Sequence, residues 1–130
     1  MNHGTAKAKE LPSLLVDAIR TGEVMDGEGK IKPLDSNVSE AEAMLLFEAV
    51  RQLRPERSVE VGLANGISTL AILGALEANG FGLHTVIDPF QSNYGDTGIA
   101  MVARAGVGDS VGNGRSSLPL SMRPISSILP

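Results

Sequence analysis

The stretch Ser58-Val59-Glu60-Val61-Gly62-Leu63-Ala64-Asn65-Gly66-Ile67-Ser68-Thr69 decides how this chain is read. Ser58 to Gly62 has the alternation of a strand, with Val59 and Val61 on one face and Glu60 on the other. Leu63 to Gly66 reads as a loop, and a helix is expected from about Ile67 to Asn79, where Gly80 is placed for a left-handed cap. The core of the stretch is Glu60-x-Gly62-x-x-x-Gly66-x-Ser68. Gly62 leaves the strand without a side chain, so a ligand can approach its backbone closely. Gly66 permits the tight turn into the helix. The free amides of that helix's first turn point above the strand end, which suits a carboxylate or phosphate.

Working outward, Leu83 to Ile87 reads as a second strand that ends at Asp88-Pro89. An acidic side chain at that strand end is placed to accept hydrogen bonds from two ribose hydroxyls. Thr97 to Ala105 is expected to be a helix closed by Gly106. Upstream, Ser39 and Glu42 form an S-x-x-E capping box. It opens a helix expected to run to about Leu53, with Met44, Leu45, Phe47, Val50 and Leu53 as its apolar stripe. Arg54-Pro55 ends it, because the residue before proline is pushed out of the helical region. Leu11, Leu14, Leu15, Ala18 and Ile19 recur at helical spacing before Gly22. Gly22 to Lys32 reads as a charged, glycine-rich loop. Strand, helix, strand, helix is the pattern of a parallel α/β sheet with flanking helices.

Composition bounds the rest. The 130 residues suit one domain, with residues 1–10 expected to be disordered, 11–110 to fold, and 111–130 to form an irregular tail rich in serine, proline and glycine. Hydrophobic residues make up 42% and aromatics only 3%, so the core must be built from Leu, Ile, Val, Ala and Met. Fifteen acidic against eleven basic side chains, a formal charge of −4, argue against nucleic acid held by bulk charge. There is no cysteine, which excludes disulfides and thiolate chemistry and fits the cytoplasm. No apolar run approaches the roughly 18–20 residues of a membrane span, and no h-region follows Lys7 and Lys9. Asp96 and Asp109 lack the clustered partners of a metal site and read as surface residues. His84, between apolar neighbours in a strand, reads as structural.

The glycine motif and Asp88 together resemble the class I S-adenosylmethionine-dependent methyltransferases, and within them the O-methyltransferase branch, over roughly Ser36 to Asp109. The resemblance implies a Rossmann-like parallel sheet and S-adenosylmethionine as cofactor. It implies methyl transfer to an oxygen or nitrogen of a small molecule. Glu60, Gly62 and Gly66 match the first cofactor motif, and Ser68 matches the position facing the methionine end. Asp88 matches the residue that holds the adenosine ribose. Asn65 is a loop neighbour that contributes a backbone or amide contact, Phe90 lies beside the adenine, and Asn37-Val38-Ser39 lies near the cofactor's carboxylate. The E-x-G-x-x-x-G spacing disfavours a dinucleotide-binding oxidoreductase fragment, and no lysine follows the second glycine as a P-loop requires.

Set against that family, the chain reads as an incomplete N-terminal half of the fold, truncated after the second strand–helix unit, with a third strand allowed near Ser110 and Val111. Every acidic residue lies at or before Asp109, and the tail after it carries only Arg115 and Arg123. No general base can be named. A non-catalytic fragment that keeps a nucleotide-binding half-site is therefore the alternative function. In the parent fold the first strand is central, so here Val59 and Val61 are expected on an exposed sheet edge that invites self-association.

Overall fold

The computed structural model describes residues 10–107 and 120–123 of the chain. The expectations for the first nine residues, for a strand near Ser110 and Val111, and for most of the tail lie outside them. Helix α1 (Ser13–Thr21) ends at Gly22, which takes the left-handed conformation at φ 70°. The charged loop expected next is instead an antiparallel hairpin, with β1 (Glu23–Met25) paired to β2 (Ile31–Pro33). Its turn is built by Asp26, whose Oδ1 accepts from the amides of Glu28 and Lys30, both at 2.9 Å. The two strands have three residues each, too short for alternation to be visible in the sequence.

Helix α2 (Glu40–Leu53) opens with the Ser39–Glu42 capping box, both halves of which form. Its buried residues are Ala43, Phe47 and Val50. Leu45 and Leu53, expected in the stripe, are 66% and 77% exposed and fall outside the face of Ala43, Phe47 and Val50. Arg54 does leave the helix, but into the left-handed region at φ 48°. There its guanidinium lies 5.0 Å from the centroid of the Phe81 ring.

The main sheet has three parallel strands, β3 (Arg57–Val61), β4 (Leu83–Ile87) and β5 (Leu120–Arg123), in the order β3-β4-β5. β5 comes from the segment read as an irregular tail. β3 pairs with β4 in a register that sets Ser58 beside His84 and Glu60 beside Val86. Between these strands runs α3 (Ile67–Asn79), the hydrophobic centre of the molecule, with Ile67, Leu70, Ala71, Ile72, Leu73, Ala75 and Leu76 all buried. One side of α3 joins Leu15, Ala18, Val24, Ala43 and Met101, and the other joins Phe47 and Val50. A helix apolar all round is a buried helix. Helix α4 (Thr97–Ala105) follows a short 3-10 turn (Gln91–Tyr94) and packs its Met101 into that core.

Val59 and Val61 are 67% and 73% exposed. They lie on the sheet face opposite α3, so it is a face of the sheet, and not its edge alone, that they leave uncovered. Among the described residues β3 is also the outer strand. No helix among the described residues is long and apolar enough to cross a membrane.

Candidate functional site

The carboxyl end of β3 and the first turn of α3 enclose a cleft of about 220 Å³, lined by Ser36, Asn37, Val38 and the run from Glu60 to Asn65, with Ile67 and Ser68. The turn between strand and helix is made of left-handed residues. Gly62 has φ 91°, Ala64 φ 47° and Gly66 φ 87°, and across the cleft Ser36 has φ 53°. Ala64 and Ser36 hold a conformation that costs a residue with a Cβ roughly 1–2 kcal/mol, and such strain concentrates where a loop must hold one shape.

The two glycines serve different ends. A Cβ on Gly62 would meet nothing within 4 Å, so the backbone there is open to the cleft. A Cβ on Gly66 would lie 3.2 Å from Gly98 Cα and O. Gly66 therefore admits the close approach of α4 as well as the turn. Gly98 is tighter still, with Leu63 Cγ, Ala64 O and Gln91 Oε1 at 2.4, 2.6 and 2.8 Å from a Cβ placed there.

Glu60 points inward beneath α3. Its carboxylate accepts from the Ser68 hydroxyl, from Thr69 Oγ1 at 2.5 Å, and from His84 Nε2 at 3.1 Å. Burial pushes its carboxyl up, but the donors from His84, Ser68 and Thr69 more than offset it, and the net shift is downward. Ser68 is thus oriented by Glu60 while still lining the cleft.

Asp88 closes the site from β4. Its Oδ2 accepts from the amides of Leu63 (2.9 Å) and Ala64 (3.3 Å) and from Gln91 Nε2 (3.1 Å), while Oδ1 accepts from the Phe90 amide at 2.9 Å. Partial burial raises its carboxyl, and the amides of Leu63, Phe90 and Ala64 with the Gln91 side chain bring it below its ordinary value. Asp88 therefore ties the glycine loop to the end of β4. Gln91, buried and overlooked in the sequence, extends the tie, with Nε2 donating to Ala64 O at 3.0 Å and Oε1 accepting from Ile99 N at 3.1 Å.

Asn65 is 2% exposed. Its Nδ2 donates to Asp35 O at 2.9 Å, which pins the segment before α2 to the glycine loop. Its Oδ1 is buried with no partner. An orphaned acceptor costs about 1–3 kcal/mol, and Asn65 is among the residues that line the cleft. Phe90 is 62% exposed just beyond the β4 end. Among the described residues no group of three or more His, Asp or Glu side chains could hold a metal. Glu60, Gly62, Asn65, Gly66 and Ser68 thus come together at one cleft or directly beneath it. Asp88 adjoins the cleft through the loop amides. Ser58, Thr69, Gln91 and Gly98, to which sequence reasoning gave no role, and His84, read as structural, support these from β3, α3, the 3-10 turn, α4 and β4. Their signal is pairing across the sheet and between helices, which spacing along the chain does not carry.

No family model and no curated protein matches this sequence. Solved structures do match its fold. A candidate O-methyltransferase from Klebsiella pneumoniae superposes with a TM-score of 0.58 at 17% identity, over 98% of this chain and 47% of that one. The O-methyltransferase TomG of Streptomyces achromogenes, involved in tomaymycin synthesis and solved with SAM, gives 0.55 at 17%, over 98% and 46%. An O-methyltransferase from Bacillus cereus solved with SAH gives 0.60 at 16%, over 89% and 46%. The chain spans slightly less than half the length of these enzymes, and over that span it has their fold, a Rossmann-like parallel sheet with flanking helices of the class I methyltransferase type.

Proposed function

We propose that this chain binds S-adenosylmethionine in the cleft above the ends of β3 and β4, as part of a methyltransferase acting on an oxygen or nitrogen of a small molecule. The observation that carries this reading is that two of the residues lining the cleft are Asn65, whose buried Oδ1 has no partner, and Gly62, whose backbone is open. An unused acceptor on a cleft residue suits the ammonium-bearing methionine end of such a cofactor, and α3 offers first-turn amides with no side-chain cap at Gly66. Two of the similar O-methyltransferases were solved with SAM or SAH.

Each residue then has a distinct part. Gly62 gives close backbone approach, and Asn65 and Ser68 offer an acceptor and a hydroxyl at the cleft wall. Glu60 fixes Ser68 and the start of α3. Asp88 Oδ2 is engaged three times, whereas Oδ1 accepts a single bond and keeps a lone pair for a ribose hydroxyl. Phe90, exposed beside it, offers a ring for the adenine. When bound, the cofactor would supply an electrophilic methyl group. The chain's contribution is orientation.

The test is a thermal melt followed by far-UV circular dichroism, run with SAH, with NAD and without ligand. A ligand that binds only the folded state raises the midpoint by mass action. An upward shift with SAH and none with NAD is expected. A midpoint unmoved by millimolar SAH overturns the reading, and a shift with NAD alone favours a dinucleotide site.

A further inference from the structure

His84 has no exposed surface, yet every polar atom of its ring is engaged. Nδ1 lies 2.8 Å from Ser58 Oγ and Nε2 lies 3.1 Å from Glu60 Oε1. The parallel register makes this possible, since Ser58 and His84 are direct neighbours on the α3 face and Glu60 follows Ser58 two residues later on the same face. Glu60 in turn accepts from Ser68 and Thr69 on the first turn of α3. The result is one continuous polar chain, Ser58–His84–Glu60–Ser68/Thr69, running from the interior of the sheet to the wall of the cleft.

The chemistry of the carboxylate fixes the direction of the bonds to Glu60. A carboxylate only accepts, so His84 must donate from Nε2, and a neutral ring with its proton on Nε2 must accept at Nδ1 from the Ser58 hydroxyl. Thr69 and His84 both donate to Oε1, and Ser68 donates to Oε2. Without His84, Oε1 would keep one donor among the described residues and the carboxylate would lose its anchor on β4.

We infer that His84 is the positioning residue of this site: in its Nε2–H form it holds Glu60 from inside the sheet, and through Glu60 it sets the side chains of Ser68 and Thr69 at the start of α3. Its effect on ligand affinity rests on the cofactor reading above. Its effect on Ser68 and Thr69 does not.

Two conservative variants separate positioning from packing. His84→Gln places an amide donor where Nε2 stood and keeps the bond to Glu60. His84→Asn reaches only as far as Nδ1 and gives that bond up. Asparagine is also the smaller by one methylene, so the ring tautomer of the wild type, which packing alone does not set, is read beside the two variants. Three readouts apply: imidazole nitrogen shifts of the ligand-free wild type, the Thr69 methyl and Ser68 Cβ shifts of all three proteins, and SAH affinity by calorimetry. The expected result is an Nε2–H tautomer, wild-type-like Thr69 and Ser68 signals in His84→Gln, and displaced signals in His84→Asn. SAH affinity should fall about tenfold in His84→Asn alone, the effect of one lost bond to a charged acceptor. An Nδ1–H tautomer, or indistinguishable Thr69 and Ser68 signals in the two variants, overturns the inference. A wild type that ignores SAH while the shifts behave as described overturns the cofactor reading and leaves the positioning role standing.

Discussion

On one face of β3, Val59 and Val61 are 67% and 73% exposed; on the other, Ser58 and Glu60 turn inward to meet His84, which has no exposed surface. By hydrophobicity alone the two faces should be exchanged. What holds the polar face inside is complete pairing. Ser58, His84, Glu60, Ser68 and Thr69 satisfy one another, so the cost of burying them, about 1–3 kcal/mol for each group left unpaired, is not incurred. What leaves the valine face outside is that the described helices all serve one side of the sheet, whereas parallel sheets are ordinarily covered on both. The difference teaches that burial in this strand follows where α3 lies, and α3 lies where Glu60 can hold its first turn.

The comparison breaks most visibly at Glu60. Glu60→Leu strips His84, Ser68 and Thr69 of their shared acceptor, and the folded state should lose about 3 kcal/mol. Chemical denaturation measures it, and a loss as small as that of a surface substitution would show the inward face is held by packing instead. Gly98→Ala comes next. Its Cβ would collide with Leu63, Ala64 and Gln91, costing about 2 kcal/mol by overpacking. Gly62→Ala meets open space and should cost only about 1 kcal/mol, the strain of its positive φ.

Asp88→Asn weakens the tie between the glycine loop and β4 and should cost about 1 kcal/mol near neutral pH. The Asp88 and Glu60 carboxyls are both held below their ordinary values in the folded chain. Their contribution is therefore complete above the carboxylate range of the unfolded chain and is lost as pH falls through the folded-state values. Melting midpoints of the wild type should decline below about pH 5, and Asp88→Asn should decline less steeply. The smallest effect belongs to the outward face: Val59→Thr and Val61→Thr should each change stability by less than about 0.5 kcal/mol. A larger loss in a monomeric sample would mean that face is covered in solution.

Much of the fold is legible in the residues because the signals are local. Ser39 and Glu42 form the capping box they spell, and Gly22, Gly80 and Gly106 take the left-handed caps their positions suggest. The β3–α3–β4 unit follows the alternation of Ser58 to Val61, the apolar run of α3 and the strand from Leu83 to Ile87. The hairpin was hidden because three residues per strand leave no period to detect. Leu45 and Leu53 lie off the buried face of α2, which begins at the small Ala43 that an apolar stripe of large side chains does not mark.

The sequence by itself determined where strand, turn and helix succeed one another around Gly62 and Gly66, since capping, chain reversal and periodicity act between residues a few positions apart. Only the tertiary structure decided what the polar residues there do. Ser58 and His84, 26 positions apart, become neighbours through strand register, and Asp88 meets Leu63 and Ala64 across 25 and 24 positions. Gly66 and Gly98 touch because two helices leave no room for a side chain. Hydrogen bonds and steric contacts act over a few ångströms in space, and separation along the chain carries no direct record of that distance.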